Sequence, residues 1–131
     1  SDGGIDGLIF FQDDEAGMKS TGAKKIIVSV KGGEHVNVTM VKDLIATVER
    51  EKATIGLFVT LSKPTQPMII EAVSAGFYKS PFGDFQKIQI LTIEDLLSET
   101  NRPKYPDISS GVYNFKKAKT EKKKVAQDRL L

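Results

Sequence analysis

Residues 54–61, Thr-Ile-Gly-Leu-Phe-Val-Thr-Leu, form a nearly continuous apolar run of strand length. A strand that alternates polar and apolar residues needs cover on one face. This one needs cover on both, the pattern of a central strand with a layer on each side. The segment before it supplies one layer. Met40, Val41, Leu44, Ile45 and Val48 fall on one face of a helix running to about Lys52, with Thr39 placed as its N-cap. Ahead of that helix, Lys24 to Lys31 reads as a second strand, ended by the Gly32-Gly33 break. Strand, helix and strand in this order predict a parallel crossover.

The flanking segments extend the same sheet. Residues 5–12, Ile-Asp-Gly-Leu-Ile-Phe-Phe-Gln, read as a strand with apolar side chains on both faces. Asp13, Asp14, Gly17 and Gly22 then make a polar turn region that joins it to Lys24 in a hairpin. After the central run, Pro64-Thr65-Gln66-Pro67 stops the chain and restarts it as a helix, with Thr65 as cap, Pro67 in the first turn and Gly76 as terminator. Phe77 and Tyr78 follow that glycine and read as plugs of the core rather than as stacking platforms for a base. A further strand is predicted over Lys87 to Leu91, and Thr92 with Glu94 and Asp95 opens a short helix whose early acids suit its positive end. The expected fold is α/β, a mixed sheet of about four strands flanked by helices.

A chain of 131 residues, 40% apolar, suffices for one ordinary core and is short for two. We expect a domain over residues 1–100 and a basic tail over 101–131. Residues 102–131 hold nine basic side chains against three acidic ones, so this stretch carries +6 and the rest −4 within a total of +2. A basic tail on a mildly acidic body points to a polyanion partner, with a plain solvated tail as the alternative. The absence of cysteine excludes a disulfide framework and a thiolate metal site. No apolar run approaches the roughly 20 residues of a membrane span and no signal peptide is recognisable, so an intracellular protein is expected. The start Ser1-Asp2-Gly3-Gly4 reads as the edge of a longer protein.

Two residues suggest chemistry. Asp6 stands at the start of the first strand and Lys31 at the end of the second, so a hairpin brings an acid and an amine to one end of the sheet. Hydrolysis of a phosphodiester needs a cation to take up charge on the phosphoryl oxygens and to acidify a water, and carboxylates are natural ligands for magnesium. A nearby lysine steadies the developing charge. The backbone carbonyl of Val30 would add a further oxygen ligand.

Several runs carry a resemblance. They are Gly3-Gly4-Ile5-Asp6-Gly7, Ile27-Val28-Ser29-Val30-Lys31-Gly32-Gly33, Asp43-Leu44-Ile45, Glu49-Arg50-Glu51-Lys52-Ala53, Pro64-Thr65-Gln66-Pro67-Met68, Glu71 to Tyr78 and Gln89 to Leu97. Over Gly3 to about Leu97 the chain resembles the Mrr-type branch of the PD-(D/E)XK restriction endonuclease superfamily. More narrowly, it resembles the endonuclease-like domain attached to some bacterial adenine-specific DNA methyltransferases. The resemblance implies a cytoplasmic bacterial protein of a restriction-modification system that acts on double-stranded DNA with Mg²⁺ or Mn²⁺. It implies Asp6 as a metal ligand and Lys31 as the family's lysine. Ser29 falls where the family has Glu, Asp or Gln, so the catalytic set reads Asp6, Ser29 and Lys31, and the metal set Asp6 and Val30. The family's core also begins with a helix and a strand ahead of the aspartate, and neither is legible here.

The remaining candidates have plainer readings. Ser29 lacks a paired base, since His35, the sole histidine, lies past the turn as an exposed loop residue. Gly32-Gly33 lacks the spacing of a phosphate loop and reads as a turn. Lys42 and Asp43 can reach the site but read as a solvated first turn. Lys116, Lys117, Lys119, Lys122, Lys123 and Lys124 are candidates for sequence-independent contact with DNA phosphates. The alternative to an enzyme is a cleavage-deficient module that binds DNA or serves a methyltransferase in the same polypeptide. A nucleotide-binding domain of flavodoxin-like type is a weaker third reading, because its phosphate loop is missing.

Overall fold

The computed structural model describes residues 4–13, 23–33 and 35–106. The elements run β1 (Gly7–Phe11), β2 (Lys24–Lys31), α1 (Val38–Arg50), β3 (Ile55–Thr60), α2 (Gln66–Ser74), β4 (Phe77–Ser80), β5 (Gly83–Gln86), β6 (Ile88–Thr92) and α3 (Ile93–Ser98). Four strands form a mixed sheet in the order β1-β2-β3-β6, and β4 with β5 makes a separate two-stranded ribbon. β1 is antiparallel to β2, with Gly7 opposite Val28 and Phe11 opposite Lys24. β2 and β3 are parallel, Ile26 facing Ile55 and Lys31 facing Thr60. β3 and β6 are also parallel, from Gly56 and Ile88 to Thr60 and Thr92. This is the mixed α/β sheet expected from the sequence.

The central run is covered on both faces. On one, Ile27, Phe58 and Ile88 are buried with Val41, Leu44 and Val48 of α1 and with Met68 and Ala72 of α2. On the other, Phe11, Ile26, Ile55, Leu57 and Leu91 are buried, with Tyr78, Phe85, Leu96 and Tyr105 packed over them. Alternation along each strand divides these side chains between the two layers, because successive Cβ atoms point to opposite faces. Opposite pairs on antiparallel strands share a face, so Leu8 and Phe10 of the edge strand lie on the α1 face with Ile27 and Lys25. Both remain exposed there.

α1 begins earlier than expected. Asn37, not Thr39, is the N-cap, and its side-chain oxygen accepts from the Met40 N–H at 3.2 Å. The amide carbonyl of asparagine satisfies an otherwise orphaned donor, and Val38 and Thr39 tolerate the first turn despite their branched side chains. α2 starts where expected, with Thr65 as cap, Pro67 in the first turn and Gly76 after the end at φ 88°. α3 is capped by Thr92, whose hydroxyl accepts from Asp95 N–H at 3.0 Å.

The strand bounds shift slightly: β1 is shorter than 5–12, and β6 runs over Ile88–Thr92 instead of 87–91. The β4–β5 ribbon was not anticipated, and it separates the two aromatic residues after Gly76. Tyr78 faces the core, packed edge-on to Phe11 at 6.2 Å between centroids, and its hydroxyl donates to the buried Asp13 carboxylate. Phe77 points away and is exposed, so only Tyr78 plugs the core.

One contact fixes where α1 lies. A Cβ on Gly56 would stand 2.7 Å from Val48 Cγ2, 3.1 Å from Ile88 Cδ1 and 3.2 Å from Leu44 Cγ. The helix therefore rests directly on the backbone of β3. Gly56→Ala should lower unfolding stability by about 1–3 kcal/mol through overpacking. Chemical denaturation of the variant checks this, and an unchanged midpoint would show that α1 can lift away freely.

Candidate metal and phosphate site at the end of β2

β2 ends with three residues that expose different edges. Its backbone alternates, so Val28 and Val30 turn their N–H and C=O groups toward β1, whereas Lys31 turns toward β3 and accepts from Leu61 N–H at 3.1 Å. Asp6 meets the β1-facing edge twice. Its N–H donates to the Val28 carbonyl at 2.8 Å, and its Oδ2 accepts from the Val30 N–H, also at 2.8 Å. The aspartate is thus held against β2 by one backbone and one side-chain bond. Among the described residues, its Oδ1 and the Val30 carbonyl have no hydrogen-bond partner.

Side chains at Ser29 and Lys31 point to the α1 face, two residues apart on one strand. There they line a cleft of about 320 Å³ with Gly4 and, from α1, Asp43, Thr47 and Arg50. The three helix residues recur at i, i+4 and i+7, a stripe beside the buried Val41, Leu44 and Val48. Ser29 is only 4% exposed. Its hydroxyl makes no hydrogen bond among the described residues, and Lys31 makes no ion pair there. Thr47 donates its hydroxyl proton to the Asp43 carbonyl at 2.9 Å, and Arg50 Nε reaches Glu51 at 3.4 Å.

The sequence candidates are therefore distributed. Ser29 and Lys31 share the cleft, and Asp6 grips Val30 between them from the strand's β1 edge. His35 is exposed and does not line the cleft. Gly32 and Gly33 form a turn tied to the end of β3, where Ser62 Oγ donates to the Gly33 carbonyl at 2.9 Å. The lysines 116, 117, 119, 122, 123 and 124 lie outside the described residues. Asp43, read from the sequence as solvated, is exposed and also lines the cleft with Ser29 and Lys31, while Lys42 turns away to Glu71 at 3.5 Å. Thr47 and Arg50 were missed. Their signal was the polar i, i+4, i+7 stripe flanking the apolar one.

Among the described residues there is no group of three or more histidine, aspartate or glutamate side chains suited to hold a metal ion. The donors at the end of β2 are hard oxygens, the free Asp6 oxygen and the Val30 carbonyl, while the Asp43 carboxylate lies in the cleft that neither of them lines. Oxygen donors of this kind suit Mg²⁺ or Mn²⁺, which keep several waters and take further ligands from a substrate phosphate, better than zinc.

Among the described residues no helix is long and apolar enough to cross a membrane. Comparison with known proteins finds no match among curated proteins and none among solved structures. The model of one protein family, described as restriction endonuclease, matches residues 1–98. That stretch contains β1 to α3, both sides of the cleft and the Asp6–Val30 bond, so the chain belongs to the Mrr-type restriction endonuclease family, the nuclease-fold domains of restriction systems.

Proposed function

We infer that this domain binds double-stranded DNA and cleaves its phosphodiester backbone with a bound Mg²⁺ or Mn²⁺. The observation that carries this reading is the Asp6–Val30 hydrogen bond, which holds a carboxylate and an unshared carbonyl at the strand end that also bears Lys31. Asp6 Oδ1 and the Val30 carbonyl would hold the cation. When bound, that ion supplies charge neutralisation at the phosphoryl oxygens and a more acidic water. Lys31 contributes an ammonium without an ion pair among the described residues, and it lines the cleft between β2 and α1. Its charge favours the extra negative charge that builds on the phosphate as the bond breaks.

Two further features belong to this reading. The domain over residues 1–100 would work beside a DNA methyltransferase in the same polypeptide. The basic stretch 101–131, with Lys116, Lys117, Lys119, Lys122, Lys123 and Lys124, would hold phosphates without reading sequence. A second reading, a cleavage-deficient DNA-binding module, is favoured by one observation. Position 29 carries a serine, so β2 itself provides no acid beside Lys31.

Incubation of the chain with supercoiled plasmid and Mg²⁺ or Mn²⁺ tests the enzyme reading. Nicking by the unmodified chain and its fall by about 100-fold or more in both Asp6→Ala and Lys31→Ala are expected. Nicking that persists in both variants overturns it, and none from the unmodified chain leaves the binding module.

Asp6→Asn separates chemistry from scaffolding. Asparagine keeps a carbonyl oxygen for the Val30 N–H and loses the charge, so cleavage should fall while the Val30 amide exchanges with solvent as slowly as before. In Asp6→Ala that amide should exchange faster. For the tail, DNA affinity should fall steeply with salt, and deletion of residues 116–131 should flatten that dependence; an unchanged slope would remove the tail from DNA contact.

A further inference from the structure

We propose that the cleft between β2 and α1 is a phosphate subsite, in which Lys31 and Arg50 hold one backbone phosphate of DNA and the Ser29 hydroxyl donates to it. This rests on the DNA-binding part of the proposed function and asks nothing of Asp6 or of a cation.

Three observations converge on the cleft. One is a donor with nothing to bond. Ser29 is 4% exposed, its side chain lies on the α1 face, and its hydroxyl has no partner among the described residues. Buried hydroxyls are normally satisfied, so this one calls for an oxygen atom within the cleft. Another is charge. Lys31 and Arg50 both line the cleft against a single carboxylate, Asp43, and neither is ion-paired with it. Two cations against one anion favour a negatively charged occupant of this volume. The third concerns the freedom of Arg50. Its Nε meets the Glu51 carboxylate at 3.4 Å between exposed side chains, a kind of pair that contributes little. Glu51 also has Lys25 at 3.8 Å, so it keeps a counter-ion when the guanidinium turns to a ligand.

The donors select the ligand. A guanidinium presents parallel N–H groups that match two oxygens of a phosphate, and an ammonium adds a mobile point charge. The terminal nitrogens of Arg50 have no bond among the described residues, so this fork is available. At about 30 Å³ per water, a cleft of about 320 Å³ has room for a phosphate group with waters around it. Asp43 and Arg50 are exposed, so the cleft is open on the flank of α1 to a phosphate still joined to its sugars. Thr47 gives its proton to the Asp43 carbonyl and does not add a donor. Asp43 opposes the anion and lowers its affinity.

Titration of inorganic phosphate into the 131-residue chain without divalent ions, followed by the amide resonances of Ser29, Lys31 and Arg50, reads the subsite directly. Affinity should fall about threefold or more in Arg50→Ala and in Ser29→Ala, and rise in Asp43→Asn. It should stay the same in Lys42→Ala, whose amine turns away to Glu71. Ser29 is buried, so if Ser29→Ala does not fold, Arg50→Ala and Asp43→Asn decide. A second arm measures binding of a short DNA duplex in EDTA over a range of salt. There Arg50→Ala should weaken binding and lower the slope of log affinity against log salt by about one. No phosphate binding by the unmodified chain, or an affinity unmoved by Arg50→Ala or lowered as much by Lys42→Ala, overturns the subsite. Phosphate binding that needs Arg50 while the duplex slope does not overturns the assignment to DNA and leaves a site for free phosphate. No duplex binding by the unmodified chain overturns the DNA-binding reading together with that assignment.

Discussion

The seat of α1 on Gly56 governs the geometry of everything around the cleft. With no side chain at that position, Leu44 and Val48 descend onto the backbone of β3 and Ile88 closes in from β6. The helix is thereby held close above the parallel pair β2–β3. Its next stripe round, Asp43, Thr47 and Arg50, then lines the cleft beside the end of β2, with Thr47 buried and Asp43 and Arg50 exposed. A larger residue at 56 would push the helix outward and widen the cleft on the side where Ser29 and Lys31 project. Packing in the core and placement of polar groups at the site are in this sense one constraint, since interiors are too dense to move one without the other.

β2 links the Asp6 contact to the cleft through its backbone. Its alternate residues address different neighbours: Val28 and Val30 bind Asp6 on one edge, and Lys31 accepts from Leu61 on the other. The strand end is further closed by Ser62 bonding Gly33. Lys31 therefore leaves the strand from a backbone held on the β3 side, and Asp6 is held against the residue immediately before it. Such bracing from a rigid sheet limits the misplacement that costs catalytic sites most of their effect.

Much of the fold was legible because its signals are local. The apolar run at 54–61 demanded two layers and received them, and β2 has its expected bounds. Thr65, Pro67 and Gly76 delimit α2 through caps and a left-handed turn that depend on a few neighbouring atoms. What escaped depends on tertiary context. The β4–β5 ribbon is two strands of four residues around Pro81-Phe82, without an Asn-Gly or Asp-Gly turn, and β-propensity in such short pieces is decided by what they cover. Tyr78 covers Phe11 and reaches Asp13, contacts between residues 65 or more apart in sequence. For the site, Asp6 and Lys31 were singled out by position on a hairpin. The place of Asp43 beside the cleft was not legible, because whether a polar residue on a helix flank lines a cleft depends on how the helix is seated.

The serine at 29 has a physical logic of its own. Its side chain is 4% exposed, and a glutamate or aspartate there would bring a second charge into a buried position close to Asp6. Without a cation, two such carboxylates repel and each loses hydration, which raises the pKa of at least one or strains the strand end. A hydroxyl avoids that cost, so β2 packs against α1 without a buried charge at this position.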